Sequence, residues 1–174
     1  RVKVLNEDGF LFINKEERLY DVIIVDLPDP RTIEISRMYS KEFYEQCYLK
    51  LRPNGVLVSQ AGSPYYAMKA FYCIEKTMNS AGFTSLPLHN QILTMGQWGW
   101  MIGVKNRNEK NLKERLKALK FENVETAWVN PEAMLHMLSF GKKIFLDEED
   151  SILINTVGEP VLYRYYLKGN WDVY

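Results

Sequence analysis

The sequence is poor in the residues that build metal centres and disulfide frameworks. It has two cysteines, Cys47 and Cys73, and two histidines, His89 and His136. The cysteines lack C-x-x-C spacing and fall in segments that read as helices. They are expected to be small buried thiols in a reducing, cytoplasmic setting. The histidines lie far apart in the chain with no partner at ligand spacing, so no zinc site is expected. Net charge is missing too: 22 Lys plus Arg stand against 22 Asp plus Glu. A protein that tracks phosphates needs a basic excess, so a nucleic-acid partner is excluded. No run approaches the roughly 18 apolar residues of a membrane span. No basic, then apolar, then small-residue pattern opens the chain, and no internal repeat or low-complexity segment is found.

What is present is a globular composition. The chain has 174 residues, 47% of them hydrophobic, which excludes global disorder. Its length suits one domain, or one domain with an appendage. Aromatics reach 13%, area that can fill a core, line a pocket or cover an interface.

The hydrophobic pattern gives an order of elements. Val2 to Leu5 is a short β-prone run, and Asn6 to Gly9 a polar turn. Val22-Ile23-Ile24-Val25 is four consecutive β-branched residues, the pattern of a strand covered on both faces. The strand ends at Asp26, because Leu27-Pro28-Asp29-Pro30 cannot continue it. Ser40 reads as the N-cap of a helix with Phe43, Cys47 and Leu51 on one face. Pro53-Asn54-Gly55 reads as a turn before a buried strand at Val56-Leu57-Val58. A helix is expected from about Pro64 to Ala81, with Gly82 ending it. Residues 84–104 read as two strands whose connection is too short for a parallel crossover, hence an antiparallel hairpin. Strands alternating with helices over 22–104 argue an α/β parallel sheet. Residues 105–125 form a charged linker and helix with Leu112, Leu116 and Leu119 on one face. The tail carries a helix around Pro131 to Leu138, the acidic run Asp147-Glu148-Glu149-Asp150, and an aromatic run from Val161 to Leu167.

Three groups of residues can carry chemistry. Asp26 and Asp29 flank a proline-stiffened loop at the carboxyl end of a buried strand, where open α/β sheets bind ligands. Such a pair can bind a cation, hold a metal or act as a base; it can also be a cap and a turn residue. Asp8-Gly9 can accept from an exocyclic amine and let a flat ring approach the backbone, or be a plain turn. Tyr65, Tyr66, Trp98 and Trp100 can make cation–π contact with an amine or sulfonium, or pack in the core.

The ordered set YDVIIVDLPDP, FYEQCYLKLRPNGVLVSQ and Gly-Gln-Trp-Gly-Trp over residues 1–104 resembles the polyamine aminopropyltransferases, the spermidine and spermine synthase family. The resemblance implies a class I methyltransferase-like Rossmann fold. It implies transfer of an aminopropyl group from decarboxylated S-adenosylmethionine, a co-substrate rather than a permanently bound cofactor, to putrescine or a similar polyamine. The products are spermidine and methylthioadenosine, and no metal is called for. By the same resemblance Asp26 is the proton acceptor, Asp29 helps hold the diamine, and Asp8 and Gly9 contact the adenine. Gln60 matches a recurrent Gln after the next strand and joins Trp98 as a substrate-binding candidate.

The sequence also departs from the family pattern. Leu27-Pro28 replaces small polar residues, Arg31-Thr32 replaces Gly-Pro, and Met95 aligns near a Tyr. The family's Gly-rich loop and ribose-binding acidic residue lie upstream of Asp8. The resemblance therefore implies an N-terminally incomplete Rossmann fold starting near the third strand, with residues 105–174 as an α-rich extension packing on residues 1–104. It also implies two partners: a second copy in a homodimer, and a missing N-terminal segment of the same protein. The tail, with Asn155-Thr156 and Arg164-Tyr165-Tyr166-Leu167, looks like a bacterial branch in which the synthase domain often follows membrane helices. The competing readings are an S-adenosylmethionine-dependent methyltransferase and a non-catalytic homologue that binds polyamines or nucleosides.

Overall fold

A computed structural model describes residues 2–106, 111–141 and 151–173. The acidic run at 147–150 lies outside the described residues. Four strands form one open sheet in the order β1-β2-β4-β3. The strands are β1 (Tyr20–Val25), β2 (Leu51–Gly62), β3 (Thr84–Ile92) and β4 (Gly96–Val104). β1 and β2 are parallel, joined by the expected helical crossover, while β2–β4 and β3–β4 are antiparallel. The α/β class and the terminal hairpin are as the sequence implies.

The helices form where caps and apolar spacing direct. α1 (Gly9–Lys15) starts at Asp8, whose carboxylate accepts from the N–H groups of Phe10 and Leu11. α2 (Ile33–Ser36) is one short turn capped by Thr32. α3 (Lys41–Lys50) starts at Ser40, whose hydroxyl accepts from Phe43 N at 3.2 Å. Phe43, Cys47 and Leu51 are all buried beneath it. α4 (Met68–Ser80) buries Phe71, Ile74 and Met78. It ends at Gly82, with φ 104°, a conformation that favours glycine. α5 (Leu112–Lys117), α6 (Pro131–Met137) and α7 (Leu162–Leu167) belong to the last third of the chain.

Two cores flank the sheet. The larger lies under α3, α4 and α7. The smaller joins Val104 to Leu112, Leu116 and Leu138, with Ile102 and Leu88 against it. The second core covers the β3–β4 end and stops short of β1. Val22 is therefore 54% exposed and Ile24 72%. The expectation that this strand is covered on both faces is corrected: Val25 faces the large core, while Val22 and Ile24 have no covering layer among the described residues.

Other expectations shift locally. Val2 to Leu5 forms no strand. Pro53-Asn54-Gly55 does not interrupt β2. It is absorbed as an irregularity, with Asn54 at φ 62° and the β1–β2 register shifting between Tyr20 and Val22. The segment after Pro64 is a turn held by Ser63, which accepts from Tyr65 N and Tyr66 N before the helix begins. α5 stops at Lys117, leaving Leu119 40% exposed. The two histidines come together, their rings 5.7 Å apart. His89 already engages Gln97 Oε1 at 2.8 Å and the Ser139 carbonyl at 2.7 Å.

The tail is pinned by one side chain. Asn155 is fully buried. Its Nδ2 donates to the carbonyls of Ser36 (2.8 Å) and Tyr39 (3.1 Å). Its Oδ1 accepts from Val161 N (3.1 Å), Leu162 N (3.2 Å) and the Ser36 hydroxyl (3.2 Å). Its own N–H donates to Thr77 Oγ1 and its carbonyl accepts from Lys41 N. Asn155 thus ties α7 to the segment that follows the Asp26–Pro30 loop and to α4. Removing the amide leaves several buried backbone groups unpaired, each a large loss. Asn155→Ala is expected to lower unfolding free energy by roughly 2–4 kcal/mol, measured by urea denaturation. A change within about 0.5 kcal/mol, the level of an ordinary surface substitution, contradicts this role.

Candidate functional site

A cleft of about 590 Å³ opens at the carboxyl end of the parallel pair β1 and β2. Its lining includes Asp26, Asp29, Gln60, Trp98 and Trp100. Each arrives for a local reason. Asp26 is the first residue after β1. Asp29 sits in the loop where Pro28 and Pro30 prevent regular structure. Gln60 lies near the end of β2 and pairs with Trp100 of β4, so their side chains share a face of the sheet.

The loop's shape is fixed by buried tyrosine and amide groups. The Tyr39 hydroxyl, 1% exposed, lies 3.3 Å from the Leu27 carbonyl, 3.2 Å from the Pro28 carbonyl and 3.4 Å from Gln60 Oε1. Gln60 Nε2 donates to Asp29 Oδ1 at 2.9 Å. The Tyr166 hydroxyl donates to Asp29 Oδ2 at 2.7 Å. The Arg31 guanidinium, well exposed, stands 3.4 Å from the same oxygen. Asp29 is thus fixed from three sides. Asp26 is exposed and has no hydrogen bond or ion pair among the described residues. One carboxylate is held in place, and its neighbour is uncommitted.

Of the sequence candidates, Asp26, Asp29, Gln60, Trp98 and Trp100 come together. Asp8 and Gly9 do not line this cleft. The Asp8 carboxylate is occupied by the first turn of α1 and by Arg37. The Leu11 N–H foremost, with the Arg37 charge, holds its pKa below the ordinary carboxylate value. Tyr65 and Tyr66 line a separate depression against Lys168 and Asn170. No group of three or more His, Cys, Asp or Glu among the described residues is placed to hold a metal ion. Both cysteines are buried and free, and burial pushes their thiols up to about 12.

Sequence reasoning missed Tyr166, Tyr39 and Arg31 as site residues. Tyr166 lies 137 positions from Asp29, and nothing local marks it apart from its aromatic neighbours. Burial pushes the pKa of Tyr39 up, and the charges of Asp29 and Asp26 add to the effect. Burial also raises Tyr166, with the hydrogen bond to Asp29 adding to it. Burial raises Tyr44 as well, against the lowering effect of its hydrogen bond with Ser59. A tyrosine whose folded pKa lies above its unfolded value adds stability that is full below about pH 10. That stability is lost as pH rises through the folded value. Alkaline titration followed by phenolate absorbance is therefore expected to show Tyr39, Tyr44 and Tyr166 ionising only together with unfolding. A single step near pH 10 contradicts the buried placements.

Comparison with known proteins bears on family and fold. The family model for the spermine/spermidine synthase domain matches residues 1–115. The chain is 40% identical over 172 residues to polyamine aminopropyltransferase 2 of Aquifex aeolicus, covering 97% of this chain and 32% of that protein. It is 31% identical over 179 residues to polyamine aminopropyltransferase of Oceanobacillus iheyensis, covering 100% of this chain and 33% of that protein. The chain thus spans about a third of the length of these curated relatives. Among solved structures, spermidine synthase from Thermotoga maritima superposes with a TM-score of 0.63 at 18% identity, over 87% of this chain and 49% of that one. A spermidine synthase in complex with the transition-state analogue AdoDATO gives 0.67 at 20% identity, over 87% and 51%. At these identities the superpositions speak to fold.

Proposed function

The chain belongs to the spermine/spermidine synthase family, and from that premise we propose that its cleft serves aminopropyl transfer from decarboxylated S-adenosylmethionine to putrescine or a similar polyamine. The observation that carries this reading is the pair Asp26 and Asp29 on one aromatic-walled cleft at the carboxyl end of β1 and β2.

The acceptor's chemistry accounts for the residue types. An alkyl amine, with an ordinary pKa near about 10.4, is protonated at neutral pH and cannot act as a nucleophile. Asp29, fixed by Gln60 and Tyr166, attracts the ammonium and sets its direction. Asp26 takes the proton. The freed nitrogen lone pair then bonds to the methylene carbon beside the sulfonium. The carbon–sulfur bond breaks and its electron pair stays on sulfur, which leaves as the neutral thioether of methylthioadenosine. The new secondary amine keeps its remaining protons as an ammonium, and Asp26 returns its proton to water. Trp98 and Trp100 present aromatic faces to cationic substrate. Asp8 and Gly9 remain the proposed adenine contacts on the strength of the family motif. The paired carboxylates favour an amine acceptor over the usual acceptors of a methyltransferase.

Full-length protein given putrescine and decarboxylated S-adenosylmethionine is expected to release methylthioadenosine only when both are present. No release overturns the reading. Asp26→Asn should lower turnover by roughly 10²- to 10⁴-fold, the range for loss of a general base. Unchanged turnover shows that Asp26 is not the base.

A further inference from the structure

A second chamber of about 400 Å³ adjoins the cleft and shares Asp29, Arg31, Met95 and Trp98 with it. Its outer wall is Tyr166, Leu167 and Trp171, all from the C-terminal tail. We propose that this tail builds the distal half of the acceptor subsite, with Tyr166 positioning Asp29 and Trp171 limiting the length of the amine. The assignment rests on the aminopropyl-transfer reading and names what sets its acceptor.

Three observations carry it. First, Tyr166 is buried, and its hydroxyl donates to Asp29 Oδ2 at 2.7 Å. The tail therefore touches one of the two carboxylates on which the cleft depends. Second, Trp171 is built in rather than loosely packed. Its Nε1–H donates to the Tyr166 carbonyl at 2.7 Å, and its ring lies 4.6 Å from the Tyr166 ring. Gly169 makes that seat, since an added Cβ would come within 2.7 Å of both Trp171 Nε1 and the Tyr66 carbonyl. Third, the chamber's chemistry suits the far end of a diamine. Met95, Trp98 and Leu167 offer apolar surface for methylenes. The faces of Trp98, Tyr166 and Trp171 offer attraction for a second ammonium. Arg31, beside Asp29 and 5.9 Å from the Tyr166 ring centre, places a positive charge in the same chamber. A longer amine with a third ammonium would meet the Trp171 wall.

The test uses full-length wild-type protein with Tyr166→Phe, Trp171→Ala and Trp171→Phe, reading amine binding by calorimetry and steady-state kinetics for both substrates. Tyr166→Phe keeps the ring and removes one charge-assisted hydrogen bond. It is expected to weaken putrescine binding and raise its KM roughly tenfold. The KM for decarboxylated S-adenosylmethionine should stay within about twofold. Trp171→Ala should raise the kcat/KM ratio of spermidine over putrescine as acceptor by roughly fivefold or more. Trp171→Phe, which keeps an aromatic wall, should bring the ratio back toward wild type. Equal losses for both substrates, or an unchanged acceptor ratio in a folded Trp171→Ala protein, overturn the assignment. If wild type binds putrescine and turns over while all three variants match it, the tail assignment falls and the transfer reading stands. If wild type neither binds putrescine nor releases methylthioadenosine, both fall.

Discussion

The buried amide of Asn155 is the constraint on which the rest of the molecule depends. It sits where three parts of the chain meet: the segment after the Asp26–Pro30 loop, the last turn of α4, and the start of α7. Every polar atom of this residue has a partner, which is what makes a buried asparagine specify one arrangement instead of costing stability. Thr77 receives its N–H, Ser36 and Tyr39 receive its amide protons, and α7 begins on its oxygen. The position of α7 in turn decides where the Tyr166 hydroxyl points. A contact between residues 29 and 166 is thus set by an amide that touches neither.

In the proposed reaction the cleft divides its work between two carboxylates. Asp29 is bracketed by Gln60 from the sheet and Tyr166 from the tail, with Arg31 nearby. A held carboxylate suits orientation, which demands a fixed geometry. Asp26, three residues earlier and exposed at the end of β1, suits a role that requires taking and releasing a proton. Burial and the neighbouring carboxylate keep Tyr166 protonated, so it remains a donor over the pH range where an amine is cationic. Zero net charge is no obstacle to a cationic substrate, because the field that matters is local to this loop.

The sheet was legible in the sequence, and for identifiable reasons. The run Val22 to Val25 and the proline pair behind it mark a strand and its stop. Ser40 with Phe43, Cys47 and Leu51 marks α3, and Gly82 marks the end of α4. What stayed hidden depends on tertiary context. Asn54 looks like a turn residue, yet the β1–β2 pairing absorbs it within a strand. Val22 and Ile24 look like core, yet the layer over that face stops short of β1. Asp26, Asp29, Gln60 and Trp98 could be gathered from motif order. Tyr166 could not, because its meaning comes from a hydrogen bond across 137 positions that no local pattern announces. Asp8 reads as a ligand contact by motif, and locally it is a helix cap tied to Arg37.

In the proposed reaction Asp26 and the tail-braced Asp29 together hold the acceptor amine. A crystal structure of the full-length protein with putrescine and methylthioadenosine bound tests it most directly. The expected result is one amine nitrogen within hydrogen-bond reach of both carboxylates, with the Tyr166 hydroxyl still on Asp29 and the methylene chain running toward Trp171. Putrescine bound away from the two aspartates, or Tyr166 turned off Asp29 while the amine is in place, would contradict it.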